Sequence, residues 1–227
     1  MGRGGPQADR RVVGRPDSPV VRPVKFFDRS RKELERQGID PARLPPGQYA
    51  TARFPVLHAG SVPSYRDLST WNLRVFGMVE RELTLSWQDL LDLPAVEMTV
   101  DIHCVTKWSK FDTVWKGVAF QTICDLAGVH PDARHLLQHA EFGYTTNVPL
   151  ADVTERPALL AYEFDGAPLA PEHGFPLRFF VPHLYFWKSA KWLRGFEFLT
   201  LDQPGFWERN GYHNYGDPFR EQRYTER

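Results

Sequence analysis

A run of alternating side chains that ends in a cysteine most strongly limits how this chain can fold. From Ala95 to Cys104 the apolar and polar residues alternate, and Cys104 falls on the apolar face. Because successive side chains of a strand point to opposite faces, the run predicts a half-buried strand with a thiol at its inner, C-terminal end. His103 then points to the other face. Residues 105–110 break the alternation and predict a loop beside a cleft.

The two cysteines have different expected roles. A free cysteine commonly behaves as a small buried hydrophobe, so position alone leaves packing and chemistry equally open for Cys104. Cys124 belongs to an apolar set with the i, i+3, i+4, i+7 spacing of a short helix over 119–127, which Gly128 ends. We therefore predict Cys124 to be a core residue. Two cysteines are too few for a disulfide scaffold, which fits a reducing compartment.

Composition excludes several classes of protein. The 227 residues carry 28 Lys and Arg against 28 Asp and Glu, so no net charge favours nucleic acid or a membrane surface. No apolar stretch approaches the roughly 20 residues of a membrane span. The Arg10-Arg11 pair lacks the apolar region of an export signal. We expect a cytoplasmic protein.

Two regions are predicted along the chain. Residues 1–51 are expected to be a flexible tail with one short charged helix, which starts at a capping box over Ser30–Glu33 and ends at Gly38, before an extended linker. Residues 52–227 are expected to form one domain. Its short helices and many strand patterns predict an α+β fold with a mixed sheet; the strand patterns cover residues 71–77, 81–85, 134–142, 159–169, 177–181 and 195–199.

Candidate binding residues include two basic segments and several histidines. Lysine and arginine side chains beside backbone N–H groups predict an anion site, although a solvated basic face is the alternative. His135 and His139 lie too far apart on a strand to share a metal ion. Cys104 and a histidine other than His103 are an open possibility for nucleophilic catalysis. The basic residues are Lys107 and Lys110 in the first segment and His173, Arg178, Lys188 and Lys191 in the second.

Motifs in a fixed order support a family resemblance. They are Phe54–Pro63, Asp101–Cys104 followed by Trp115–Gly117, Asp165–Arg178, Ser189–Trp192 and Gly205–Tyr212. In this order the chain resembles the sulfite oxidase-like molybdopterin oxidoreductases, in particular the short single-domain bacterial members, across residues 52–227. The resemblance implies that family's molybdopterin-binding fold, a mixed-sheet, barrel-like core with short helices.

The same resemblance implies a cofactor and a set of residues that bind it. The cofactor is molybdenum held by molybdopterin, and Cys104 matches the position of a thiolate ligand, a soft donor suited to a sulfur-rich metal centre. Catalytic roles are implied for Tyr212 and Lys107, with Trp108 and Trp115 beside the open coordination position. The matching cofactor-binding positions are His58, Thr145, His173, Arg178, Ser189, Ala190 and Lys191.

The implied activity is a two-electron transfer of an oxygen atom to or from a small S- or N-oxide, or sulfite. A separate electron-transfer partner is expected. Lys107 follows the cysteine where the animal sulfite oxidases have arginines, and Val56-Leu57 stands where they have another, which argues against sulfite. The alternatives are a metal-free, Cys104-dependent hydrolase or thiol transferase and a non-catalytic pterin-binding protein.

Overall fold

Short strands dominate the architecture. The computed structural model describes residues 26–58 and 60–225, so the predicted tail residues 1–25 lie outside it. The strands are β1 (Tyr49–Ala50), β2 (Asn72–Gly77), β3 (Leu83–Ser86), β4 (Ala95–His103), β5 (Trp108–Ala119), β6 (His135–Ala140), β7 (Thr145–Pro149), β8 (Leu159–Phe164), β9 (Ala167–Pro168), β10 (Arg178–Phe180) and β11 (Leu193–Leu199). The α-helices are α1 (Phe26–Arg36), α2 (Trp87–Leu91), α3 (Phe120–Ala127), α4 (Leu150–Thr154) and α5 (Phe206–Arg209).

The strands form two mixed sheets. In the first, β5 pairs with β1, β4 and β8, and β8 also pairs with β9 and β10. In the second the order is β3-β2-β11-β6-β7. Each sheet contains one parallel pair, β1 with β5 and β2 with β11. The predicted α+β class with mixed pairing is confirmed, but among the described residues there are two open sheets in place of one barrel-like sheet.

Alternation along β10 shows how the fold separates its core from its cleft. Phe179 points into the main core and packs on Phe120 and Phe196 at ring-centroid distances of 5.1 and 4.9 Å. Its neighbours Arg178 and Phe180 point the other way, toward Trp115 of β5, with Phe180 stacked on that ring at 4.4 Å. One short strand therefore contributes both to the main core and to the second apolar cluster, which contains Cys104.

Several local predictions are confirmed. Strand β4 ends at His103, so Cys104 lies at its C-terminal end, and Gly128 ends α3 in the left-handed conformation at φ 65°. Cys124 is buried in the main core. The sequence also predicts a serine-capped helix over residues 86–93, before Pro94, and Ser86 caps α2 through a reciprocal pair of bonds with Asp89.

Other local predictions are wrong. Helix α1 begins at Phe26, so Ser30 lies inside it and does not cap it. Trp108 is already in β5, which restricts the predicted loop after Cys104 to one tight turn. The predicted extended linker contains a 3-10 helix over Pro41–Arg43. The pairing of Trp108 with Tyr49 of β1 is not visible in the local pattern, whereas the 3-10 helix is capped locally by the Asp40 side chain.

The segment before residue 52 packs on the sheets. Leu34 and Leu44 are buried, and β1 pairs with the start of β5. A domain that starts at residue 52 stays a prediction, and these contacts favour an earlier start. None of the helices in the described ranges is long and apolar enough to cross a membrane.

Candidate active site

Backbone hydrogen bonds fix Cys104 in the turn between β4 and β5. Its N–H donates to the Trp108 carbonyl at 2.9 Å, and its carbonyl accepts from the Lys107 N–H at 3.0 Å. The buried side chain of Gln48 also donates to that carbonyl at 3.0 Å. Lys107 adopts a left-handed conformation with φ 76°, which closes the turn. The thiol is therefore held on a rigid backbone.

The Cys104 thiol is buried at the wall of a cleft. The residue is 7% exposed, and burial raises the pKa of its thiol. The Thr106 hydroxyl donates to Sγ at 3.2 Å, which partly opposes that rise because the bond favours the thiolate. The positive charge of Lys191 also opposes the rise in the pKa of the Cys104 thiol. A metal ion that replaces the thiol proton would overcome the remaining cost.

The cleft has a volume of about 420 Å³ and brings together most of the predicted site residues. Those that line it are Cys104, His58, His173, Arg178, Ser189, Lys191 and Tyr212. They come from the segment between β1 and β2, from the β4–β5 turn, from β10 and its flanking segments, and from the chain after α5.

Arg178 is a buried cation with polar but no acidic partners among the described residues. Its Nη1 donates to the His173 carbonyl at 2.9 Å and its Nη2 to the Ser189 carbonyl at 3.0 Å. The guanidinium lies 4.0 Å from the centre of the Phe186 ring, and Nε has no hydrogen-bond partner. Burial lowers the pKa of Arg178 to about 9, so the group stays charged at neutral pH. A buried, unpaired charge of this kind favours a bound anion.

Two further basic groups border Arg178. The Lys191 ammonium donates to the carbonyls of Leu57 and Glu172, each at 2.8 Å. Burial, reinforced by repulsion from Arg178, lowers the pKa of Lys191 to about 7. His173 stacks on Phe54 at 3.9 Å, its Nε2 is buried without a partner, and burial lowers its pKa. A bound anion would relieve this repulsion. We call Arg178 and Lys191, together with the imidazoles of His58 and His173 that line the same cleft, the cationic group.

A chain of aromatic rings forms another part of the lining. Tyr144 packs near Phe206 at 5.9 Å, Phe206 packs on Trp207 at 5.0 Å, and Trp207 stacks on Tyr212 at 4.8 Å. Trp187 completes the chain at 5.0 Å from Tyr212. We call these five residues the aromatic group. Burial raises the pKa of Tyr212, and the neighbouring acidic groups Tyr224 and Cys104 raise it further.

Four predicted site residues do not line the cleft. Lys107 is exposed, and its contribution to the site is the backbone N–H that closes the turn. Thr145 is the first residue of β7, and its predecessor Tyr144 lines the cleft in its place. Ala190 is buried, and both its backbone groups are bound within the fold, the N–H to Gln138 and the carbonyl to Phe179. Trp115 is also absent from the lining, whereas Trp108 is present.

The sequence did not assign a role to most of the aromatic group. Phe206 and Trp207 lie in the Gly205–Tyr212 motif, so their presence near Tyr212 could have been inferred from that segment. Gly205 itself is explained by contact, since a Cβ there would collide with the Thr145 carbonyl of β7. Tyr144 and Trp187 carried no local signal, because they reach the cleft through packing between distant segments.

The histidines outside the cleft have partners of their own. His135 and His139 lie on β6 and pair with separate carboxylates, Asp202 at 3.4 Å and Glu197 at 2.9 Å. No group of three or more His, Cys, Asp or Glu side chains within 26–58 and 60–225 could hold a metal ion. His103 points away from the cleft and bonds to Ser109 at 2.8 Å.

Comparisons with known proteins identify the domain. The family model described as "Oxidoreductase molybdopterin binding domain" matches residues 59–207. "Uncharacterized oxidoreductase YuiH" of Bacillus subtilis (strain 168) is 54% identical over 190 residues, which cover 84% of this chain and 96% of that protein. The sulfite oxidase of Arabidopsis thaliana is 25% identical and aligns with 67% of this chain.

A solved structure shares the fold. The sulfane dehydrogenase SoxCD from Paracoccus pantotrophus superposes with a TM-score of 0.59 at 21% identity, over 68% of this chain. This chain spans less than half of the length of two of these relatives, 48% of the Arabidopsis thaliana protein and 43% of the SoxCD chain.

The cleft residues fit the cofactor of this family, Mo-molybdopterin. The unpaired Nε donor of Arg178 and the ammonium of Lys191 suit an anionic phosphate, and the unpaired Nε2 of His173 lies beside them. The buried Cys104 thiol is a soft ligand of the type that a sulfur-rich metal centre takes. With the matched domain, these features show that the chain belongs to the sulfite oxidase-like family of molybdopterin-dependent oxidoreductases.

Proposed function

We propose that this oxidoreductase transfers an oxygen atom in a two-electron step, with the Cys104 thiolate as a ligand of molybdenum. The observation that carries this proposal is one cleft that contains both a buried thiol and an unpaired cationic group. When bound, the cofactor supplies the exchange of two electrons and one oxygen atom with the substrate. The protein contributes the binding, orientation and burial of the reacting groups.

The cationic group is proposed to hold the phosphate of the pterin. Arg178 is fixed by two backbone carbonyls and still has a free Nε donor, and Lys191 and His173 lie beside it. Ser189 supports this arrangement, because its hydroxyl accepts from the Val181 N–H at 2.9 Å and its carbonyl accepts from Arg178. Such preorganised donors need no rearrangement when the anion binds.

The aromatic group is proposed to face the substrate. Rings without a cation among them favour a neutral oxide with apolar substituents over a small oxyanion such as sulfite. The Tyr212 hydroxyl forms no hydrogen bond within the described part of the chain, so it is free to donate to a substrate oxygen. Reduction of a sulfoxide then takes two electrons and two protons and yields a sulfide and water. A separate electron-transfer protein is proposed to supply the electrons.

No specific contact favours either alternative function, a metal-free hydrolase or thiol transferase that depends on Cys104, or a non-catalytic pterin-binding protein. A thiol hydrolase needs a base at the nucleophile, and the hydrogen-bond partner of the Cys104 thiol in the structure is Thr106. A pterin-binding protein without turnover would contain the cofactor but no reducible metal.

The test compares the two cysteines. The full chain is expressed in a host that makes the cofactor, and molybdenum per chain and sulfoxide reduction by a viologen dye are measured for wild type, Cys104→Ser and Cys124→Ser. We expect about one molybdenum per wild-type chain, near-complete loss of turnover in Cys104→Ser and retention of both properties in Cys124→Ser. Full turnover of Cys104→Ser would refute the proposal.

The same preparation tests the substrate class. We expect kcat/KM for a neutral aryl methyl sulfoxide to exceed that for nitrate by about tenfold or more, since the aromatic group binds only the former. In the oxidative direction, sulfite is expected to be a poor electron donor. A preference for either oxyanion would contradict the assignment of the aromatic group.

A further inference from the structure

A buried ion pair links the chain segment that carries Tyr212 to the body of the protein. Lys188 and Glu208 have side chains 0% and 1% exposed, and Lys188 Nζ lies 2.6 Å from Glu208 Oε1. Glu208 belongs to α5, just before Tyr212. Lys188 precedes the cofactor candidate Ser189 but does not line the cleft.

Lys188 also binds the chain on the other side of Tyr212. Its Nζ donates to the Asn214 carbonyl at 2.5 Å and to the backbone and side-chain oxygens of Asn147 in β7, each at 2.9 Å. Asn147 in turn donates to the Asn214 side chain at 3.0 Å. One ammonium therefore anchors the chain both before and after Tyr212.

Glu208 fixes the rings that pack on Tyr212. Its Oε1 accepts from the Trp187 indole at 3.0 Å and from the Thr146 hydroxyl at 2.9 Å. Trp187 contacts the Tyr212 ring edge to face. Trp207, which precedes Glu208 in α5, stacks on the same ring at a centroid distance of 4.8 Å. The carboxylate thus determines the orientation of Trp187 and, through it, that of the tyrosine.

We propose that Lys188 and Glu208 are positioning residues, and that their ion pair holds Tyr212 in the cleft. Burying both charges is costly, and a well-packed apolar pair would commonly be as stable, so stability alone does not account for the pair. Its contacts lie on both sides of Tyr212 and on Trp187. The catalytic part of this inference rests on the proposed function, whereas the position of Tyr212 can be measured without turnover.

The test removes both charges together, because a single substitution leaves a buried charge and can prevent folding. Lys188→Met with Glu208→Gln keeps an amide oxygen for Trp187 and Thr146. The matched control is Lys116→Met with Glu163→Gln, which removes the partly exposed 3.2 Å pair between β5 and β8. All variants are labelled with 3-fluorotyrosine, and the fluorine resonance of Tyr212 is assigned by its loss in Tyr212→Phe.

We expect the Tyr212 resonance to shift or broaden in the Lys188/Glu208 variant and to stay in place in the control. An unchanged resonance in the folded Lys188/Glu208 variant would overturn the inference, even if no substrate is ever turned over. A second variant, Asn214→Ala, removes a side chain of the same network and should broaden the resonance to a lesser extent.

Kinetics of the cofactor-loaded protein separate positioning from general structure. Misplacement of the tyrosine should lower kcat by up to about 10²-fold. When Lys188→Met and Glu208→Gln are combined with Tyr212→Phe, kcat should fall no further than in the more damaging of the two parent variants, since both act through the Tyr212 hydroxyl. Multiplicative losses would overturn the inference. Absence of molybdenum and of turnover in wild type would instead refute the proposed function. The fluorine resonance would still show whether the ion pair holds Tyr212 in place.

Discussion

At the scale of the residue, Arg178 connects the fold to the cofactor proposal. It is 1% exposed, and two nitrogens of its guanidinium donate to the backbone carbonyls of His173 and Ser189. A lysine at this position would keep the charge but could not reproduce that planar, bidentate geometry.

We therefore predict that Arg178→Lys reduces the cofactor content about tenfold and lowers the free energy of unfolding by about 1–3 kcal/mol. The matched control is Arg74→Lys on β2, an exposed arginine that stacks over Phe76. Pterin fluorescence after release and urea unfolding measure the two effects. Wild-type cofactor content in Arg178→Lys would show that the guanidinium does not bind the phosphate.

The sequence predicted the direction of a side chain correctly where that direction followed from the alternation of a strand. Cys104 points inward and His103 away from the cleft, as a period of two requires. Thr145 came from the family resemblance and Lys107 from that resemblance and its basic segment, and each lies one residue from one that lines the cleft, Tyr144 and Thr106. Whether a neighbouring residue faces the cleft depends on the turn and on strand pairing, which are not local properties.

At the scale of the element, Gly205 determines how closely α5 approaches β7. A Cβ at this position would collide with the Thr145 carbonyl and the Thr146 Cα, both of them backbone atoms that cannot rotate away. The segment that carries the aromatic group would have to move as a unit.

We predict that Gly205→Ala lowers the free energy of unfolding by roughly 2–3 kcal/mol and also reduces kcat, because overpacking displaces Tyr212. Gly166→Ala is the control. It lies in the β8–β9 turn at φ 78° with open space around it, so it should cost only about 1 kcal/mol and leave kcat unchanged. Equal effects of the two substitutions on kcat would contradict the close-approach argument.

Elements with a strong local pattern were predicted, and those defined by pairing were not. The alternation of β4, the apolar spacing of α3 and the cap of α2 are all visible in the sequence. By contrast, β1 has only two residues and exists because it pairs with β5, distant in sequence, and β7 lacks a clear alternation and is defined by its pairing with the preceding strand β6. The division into two sheets depends on parallel pairing of β2 with β11, across more than a hundred residues.

At the scale of the whole molecule, buried histidines couple stability to pH. Burial lowers the pKa of His183, which lies 3.7 Å from Asp152 and outside the cleft. An unfolded histidine titrates near pH 6.5. Below that pH the unfolded chain binds a proton that the folded chain does not, so the free energy of unfolding decreases as pH falls toward the folded pKa.

We predict that the contribution of His183 to the free energy of unfolding decreases by at most about 1.4 kcal/mol per pH unit below pH 6.5 and is constant above that pH. Because other buried histidines titrate as well, the informative quantity is the difference between wild type and His183→Gln. Urea unfolding at pH 7.5, 6.5, 5.5 and 5.0, roughly spanning that titration range, measures it. Parallel curves for the two proteins would contradict the burial of a neutral His183.

Molybdenum K-edge X-ray absorption of the purified, cofactor-loaded chain tests the central claim most directly. If the Cys104 thiolate is a ligand, the wild-type spectrum fits with one more sulfur neighbour of molybdenum than the spectrum of Cys104→Ser, while Cys124→Ser matches wild type. The same number of sulfur neighbours in wild type and Cys104→Ser would show that the cysteine does not bind the metal.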